Sequence, residues 1–140
     1  MKILLAADGS KYTKKAAAFL VTHEQLASAD DELVLLHVQP PVPPRVKTML
    51  GASVVSSYHT DEAAKVLGPL ERFLKRHNLN FRSTWVVGSP SAEVVRVAKR
   101  EKVDMIVMGT HGHGVIGRAL MGSVAQNVVS ECDIPVLLVK

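Results

Sequence analysis

Four stretches of this 140-residue chain are apolar almost without interruption. They are Lys2–Ala7 (KILLAA), Glu32–Val38 (ELVLLHV), Asp104–Met108 (DMIVM) and Asp133–Lys140 (DIPVLLVK). Strands of this kind are buried on both faces, the habit of parallel sheets covered by helices on either side. A fifth stretch, Asn80–Val87 (NFRSTWVV), alternates instead: Phe81, Ser83 and Trp85 lie opposite Arg82 and Thr84. That pattern predicts a sheet-edge strand with one side partly wet.

Between the strands the spacing turns helical. Tyr12, Ala16, Phe19, Leu20, His23 and Leu26 make one stripe, opposite Lys14, Lys15 and Glu24. Ala63, Val66, Leu67, Leu70, Phe73, Leu74 and His77 make a second. Thr60 is the expected N-cap of that helix, with a kink or a late start at Gly68-Pro69. Ser89 and Pro90 suit the N-cap and N1 of a third helix that turns Val94, Val95 and Ala98 inward. Ser123 with Gln126 reads as a capping box for the last helix, whose face is Val124, Val128 and Cys132. Residues Gln39–His59 open on PPVPP and show no clean period, which predicts either a mobile connection or a lid over a ligand.

The order β-α-β-α-β-α-β-α-β over residues 1–140 predicts one domain, an α/β doubly wound parallel sheet with helices on both faces. Two strand orders satisfy it, 3-2-1-4-5 and 2-1-3-4-5. In either, ligands bind beyond the carboxyl ends of the strands where the winding reverses. In the first order, strands one and four are neighbours at that point. Asp8-Gly9-Ser10 would then face the loop after Met108 across a crevice.

Composition narrows the function classes. At 47% hydrophobic and 21% charged residues, disorder is not expected. The net charge of +4 invites a nucleic-acid reading, but the cations are scattered and only six aromatics are available to stack on bases, so no nucleic-acid partner is expected. A single cysteine, Cys132, excludes an internal disulfide and fits a reducing compartment, as a buried structural thiol. The opening MKILLAADGSK is cut off by Asp8 too soon for a signal sequence. No apolar run approaches the ~20 residues of a membrane span. A cytoplasmic protein with no membrane partner is expected.

Five of the nine glycines fall in one stretch, Gly109–Ser123 (GTHGHGVIGRALMGS), between an apolar strand and a helix start. Glycines at this density are kept where φ is positive or where backbone must come close. A helix N-terminus beyond such a loop offers unpaired N–H groups and the positive end of a dipole, which together cradle an anion. Gly112-His113-Gly114-Val115-Ile116-Gly117 is a literal GxGxxG, yet no acid follows at the end of the next strand, which excludes a dinucleotide fingerprint. Gly117-RALM-Gly122-Ser123 has the glycines of a P-loop but lacks its lysine, so a fast NTPase is not expected.

The spacing Gly109-x2-Gly112-x9-Gly122-Ser123, with DGS after the first strand, VDMIVMGTHG and the closing PVLLVK, resembles the universal stress protein family over the whole chain. In that family this glycine pattern marks the ATP-binding branch. The resemblance implies the 3-2-1-4-5 order and a homodimer through the C-terminal edge strand, residues 135–140. It implies Asp8 by the nucleoside, Val38 backbone framing the adenine, Met108 and Gly109 at the ribose side. Gly112, Gly122, Ser123 and Val124 would hold the phosphates. Ala6 stands where some ATP-binding relatives have proline, and Gly114 is an extra glycine. The expected nucleotide-binding set is Ala7, Asp8, Val38, Met108, Gly109, His111, Gly112, Arg118, Gly122, Ser123 and Val124, with ATP and its Mg²⁺ as cofactors.

Plainer roles stand beside these. Asp8 also suits a cap for the first helix. His111 and His113 lack a third metal ligand nearby in sequence, so phosphate proximity or solvent exposure is expected. Arg118 is either a γ-phosphate clamp or a solvated cation. His37, inside a buried strand, reads as a core histidine with its hydrogen bonds satisfied. The function expected is ATP binding with little or no hydrolysis, in a nucleotide-dependent regulatory stress protein. The rivals are a slow adenine-nucleotide hydrolase or transferase, drawing on Asp8, His111 or His113 as base, and an interaction protein that holds AMP, cyclic AMP or nothing.

Overall fold

The computed structural model describes residues 1–113 and 121–140. Its strands are β1 (Lys2–Ala7), β2 (Glu32–Gln39), β3 (Phe81–Val87), β4 (Met105–Gly109) and β5 (Val136–Val139). Its helices are α1 (Lys11–Thr22), α2 (Pro44–Leu50), α3 (Ala52–Arg76), α4 (Pro90–Arg100) and α5 (Ser123–Glu131). All strand pairs are parallel, in the order β3-β2-β1-β4-β5. Strand β1 pairs with both β2 (Leu4 beside Val34) and β4 (Leu4 beside Ile106), which decides between the two orders open to the sequence. The winding therefore reverses between β1 and β4.

The apolar runs are two-faced because each residue parity serves a different core. Ile3, Leu5, Leu33, Leu35 and Val107 point to one side, where Ala16, Ala17 and Leu20 of α1 and Leu67, Leu70 and Leu74 of α3 cover them. Leu4, Leu36, Val38, Ile106 and Met108 point to the other, under Val94, Val95, Val97 and Ala98 of α4 and Ala125 and Val128 of α5. Burying one such side chain contributes about 1.5–3 kcal/mol, so neither layer is dispensable. Strand β3 lies at one edge and is half-exposed along most of its length, as its alternation predicts. Strand β5 lies at the other edge, half-exposed throughout and shorter than the apolar run 133–140 suggests.

Several local expectations give way. The unreadable stretch after Gln39 is largely helical: α2 occupies Pro44–Leu50, and α3 opens at Ala52 after Gly51, whose φ of +85° separates the two. Thr60 is not a cap but lies mid-helix, its hydroxyl donating to the Ser56 carbonyl. The helical period is masked there because Met49, Val54 and Tyr58 are exposed while Val55, His59 and Ala63 are the inward face. The helix then runs unbroken through Gly68-Pro69; Pro69 is exposed, so the ladder bond it forgoes faces solvent. On α1 the buried face is Thr13, Ala16, Ala17 and Leu20, with His23 exposed at the C-cap. Ser123 is the first residue of α5 rather than its cap; Gly122 holds the N-cap position, and Gln126 Nε2 donates to the Met121 carbonyl. Ser89 occupies the N-cap of α4 without a side-chain bond, and Pro90 takes the first turn. Cys132 caps the C-terminus of α5, half-buried, its sulfur accepting from the Ile134 N–H.

Candidate functional site

A cavity of about 580 Å³ opens at the carboxyl ends of β1, β2 and β4, where the winding reverses. Ala7 and Asp8 enter it from the end of β1, Val38 from β2, and Met108 and Gly109 from β4. His111 and Gly112 supply the loop side; Gly122, Ser123 and Val124 supply the start of α5. Ten of the eleven residues expected from the sequence thus line one cavity. The eleventh, Arg118, lies outside the described residues, as do Gly114 and Gly117 of the same loop.

Each wall has a local cause. Ser10 caps α1, its hydroxyl accepting from the Thr13 N–H, so the turn before α1 is fixed by residues Asp8 to Thr13. Asp8 does not cap the helix directly. Its Oδ1 accepts from the Ser10 N–H at 2.9 Å and from the Thr13 hydroxyl at 2.7 Å, while the Asp8 N–H donates back to Thr13 Oγ1 at 3.2 Å. Both bonds to the carboxylate engage Oδ1, so it is oriented through one oxygen and presents Oδ2 toward the loop.

The described glycines of the loop are explained by close approach. A Cβ on Gly112 would lie 2.7 Å from Asp8 Oδ2. A Cβ on Gly122 would lie 3.2 Å from the Thr110 carbonyl oxygen and 3.3 Å from His111 Cα, because the Gly122 N–H donates to Thr110 at 2.6 Å. Neither has the positive φ that would demand glycine on its own. The loop is further tied across the crevice by His113, whose Nε2–H donates to the Asp8 carbonyl at 2.6 Å.

Beyond Gly122, the first N–H groups of α5 have no carbonyl within the helix to bond. Ser123, Val124 and Ala125 carry them, and all three line the cavity. The helix dipole adds positive potential at the same place. The opposite wall is apolar: Leu36, Val38, Pro40, Pro90, Val94 and Met108. One end of the cavity therefore suits an anion and the other a flat apolar ring.

His37 is a core histidine with satisfied hydrogen bonds, and it also lines this cavity. It is buried, donates Nδ1–H to the Ala7 carbonyl at 2.8 Å and pairs through Nε2 with the Gln39 side-chain amide at 2.9 Å. Its bond braces the end of β1 against β2, just before Asp8. Sequence reading missed Thr13, the residue that orients Asp8; its place five residues on, at the first turn of the helix, was the available signal. It also missed Thr110, whose hydroxyl is hydrogen-bonded to His111 Nδ1 at 2.7 Å. His111 packs its ring against Tyr12 with centroids 4.9 Å apart.

A single parallel sheet, wound in both directions, with its cavity at the switch point and a helix N-terminus aimed into it, defines a doubly wound α/β domain. The model of the universal stress protein family matches residues 1–140, and the chain belongs to that family. A universal stress protein of Thermus aquaticus is 36% identical over 99% of this chain and 97% of its own length. Among solved structures, the hypothetical protein MJ0577 superposes with a TM-score of 0.84 at 31% identity, covering 99% of this chain and 94% of that one. The universal stress protein of Archaeoglobus fulgidus, solved in complex with dAMP, has the same fold (TM-score 0.72, 20% identity, 100% and 98% coverage).

Proposed function

We propose that the chain binds ATP in the switch-point cavity and acts as a nucleotide-dependent stress-response regulator, with little or no hydrolysis. The observation that carries this reading is the juxtaposition of Asp8 with Gly112 beside the open N-terminus of α5. The N–H groups of Ser123 and Val124, with the Ser123 hydroxyl, would take the phosphates. Asp8 Oδ2 would take the ribose, and the apolar wall around Val38 and Met108 the adenine. The Archaeoglobus relative, a complex with dAMP, supports an adenine nucleotide as the ligand class.

Little or no hydrolysis is supported by the lack of a P-loop lysine between Gly122 and Ser123. Of the three candidate bases, Asp8 is held through Oδ1 by Ser10 and Thr13, His113 Nε2 donates to a carbonyl, and His111 Nδ1 is paired with Thr110. Magnesium would accompany the triphosphate. Among the described residues no group of three acidic, His or Cys side chains forms a cage. One carboxylate with phosphate oxygens and waters is a usual Mg²⁺ environment, and Asp8 fits that part. The exposed edge β5 supports a homodimer in which it pairs with its two-fold mate; sedimentation as a monomer would refute that. No helix among the described residues is long and apolar enough to cross a membrane.

Calorimetric titration with Mg-ATP is expected to show one saturable site per chain, and the nucleotide is expected in the mass spectrum of the natively purified protein. A flat titration together with no adenine nucleotide in the spectrum would overturn the proposal.

A further inference from the structure

A second cavity, of about 400 Å³, runs between α1 and α3 on the face of the sheet away from α4 and α5. It exists because the two helices are unevenly furnished. The α1 wall is made of small side chains, Thr13, Ala17 and Ala18, while Val66, Leu70 and Phe73 of α3 stand opposite. Its floor reaches the core: Ala17 and Leu70 are buried. Its rim is charged with one sign only. Lys14, Lys65 and Arg76 line it, and no acidic residue does among the described residues. Lys65 is paired with Glu62 on the outer surface, whereas Lys14 and Arg76 form no ion pair among the described residues. Lys65 and Arg76 are eleven residues apart on α3, about 16 Å along the helix axis.

An apolar trough with cations at its ends and no acid is complementary to an amphipathic anion. Its volume is near the lower end of ligand pockets, which suits one unbranched chain rather than a two-chain lipid or a docked helix. We propose that this groove is a ligand site distinct from the switch-point cavity, and that it takes the anion of a medium-chain fatty acid. The chain lies along Ala17, Ala18, Val66, Leu70 and Phe73. The carboxylate meets Lys14 and Lys65 at one end or Arg76 at the other. No reaction is involved; the site binds and releases.

The test titrates the isotopically labelled full chain with octanoate, decanoate and dodecanoate, each below its micelle concentration, and follows amide shifts. Saturable shifts confined to α1 and α3 are expected, with affinity rising about fourfold per added CH₂ until the groove is filled. Ala18 lines the groove from an exposed helix position, so Ala18→Phe fills it without entering the core. That variant should abolish binding while its melting temperature holds. Lys14→Glu or Arg76→Glu should weaken dodecanoate about tenfold, as expected for loss of a charged hydrogen bond, and identify the carboxylate end. Dodecanol binding as tightly as dodecanoate, unchanged affinity in Ala18→Phe, or shifts scattered over the surface would each overturn the proposal. So would co-sedimentation with anionic vesicles in the absence of any shift with the monomeric acid, which would reassign the groove to a lipid surface.

Discussion

The two ends of the parallel sheet are built on opposite principles. At the amino ends of the strands, charges are paired off. The Met1 ammonium bonds Asp31 at 2.8 Å, the Lys2 N–H donates to Asp104, and Glu101 gathers both Lys2 at 3.1 Å and Arg82 at 2.8 Å. At the carboxyl ends a cavity is lined by one acid among the described residues, Asp8, with a set of glycines and the first N–H groups of α5, which no carbonyl of their own helix can bond. One end spends its polar groups on tying strands to their neighbours. The other keeps them available. On the proposed function, stability and binding fall to different ends of the same strands, and substitutions at each end should separate the two.

The largest effect is expected at Gly112. In Gly112→Val the new Cβ meets Asp8 Oδ2, the far end of a side chain that can swing away, so the fold survives but the carboxylate is displaced. Mg-ATP affinity should fall about a hundredfold, the equivalent of one or two charge-assisted hydrogen bonds, with little change in melting temperature. Calorimetry paired with thermal melting reads both. Wild-type affinity in this variant would break the contrast between the ends.

Gly122→Val sharpens it differently. Its Cβ would press on the Thr110 carbonyl and His111 backbone, which cannot swing aside. Affinity should fall at least about tenfold, and about 1–3 kcal/mol of stability should be lost as well, as for overpacked sites. Denaturant melts of the two glycine variants side by side distinguish side-chain displacement from backbone strain.

The smallest effect belongs to the amino end, where charges are paired. The Met1 ammonium and Ser28 hold Asp31 down at about 2, below its ordinary 3.8, and Asp31 holds the ammonium above 8.0 in turn. A depressed carboxylate contributes stability above pH 3.8 that fades as pH falls through about 2. A raised ammonium contributes below pH 8.0 and fades as pH rises through its folded value. Asp31→Asn should therefore flatten the melting-temperature profile at both limbs and leave ATP affinity untouched. A change in affinity would show that the ends are not independent.

How much of this was legible in the sequence follows from which residues carry a single job. The strands were readable because their residues are apolar on both parities, as Ile3 and Leu5 serve one core and Leu4 the other. Strand order was not, since neither loop lengths nor periodicity distinguish β1 beside β4 from the alternative; the family resemblance supplied it. The opening of α3 was hidden because exposed apolar residues such as Val54 and Tyr58 blur the face set by Val55 and His59. The capping box failed because Ser123 and Gln126 have the right spacing while Gly122 holds the cap position that exposes the next N–H groups to the cavity. Ten of the expected residues meet at one cavity because each sits at a strand end, in the glycine loop or at the helix start beyond it, where spacing survives without the rest of the fold. Thr13 was not, since its role depends on a hydrogen bond inside a turn.

That threonine has one further consequence. Thr13 lines both cavities, with its hydroxyl on Asp8 and its remaining surface on the α1–α3 groove. Two compartments that share a wall of one side chain form a single thermodynamic system. Whatever factor an occupant of the groove imposes on the affinity of the strand-end cavity, an occupant of that cavity must impose on the groove in equal measure.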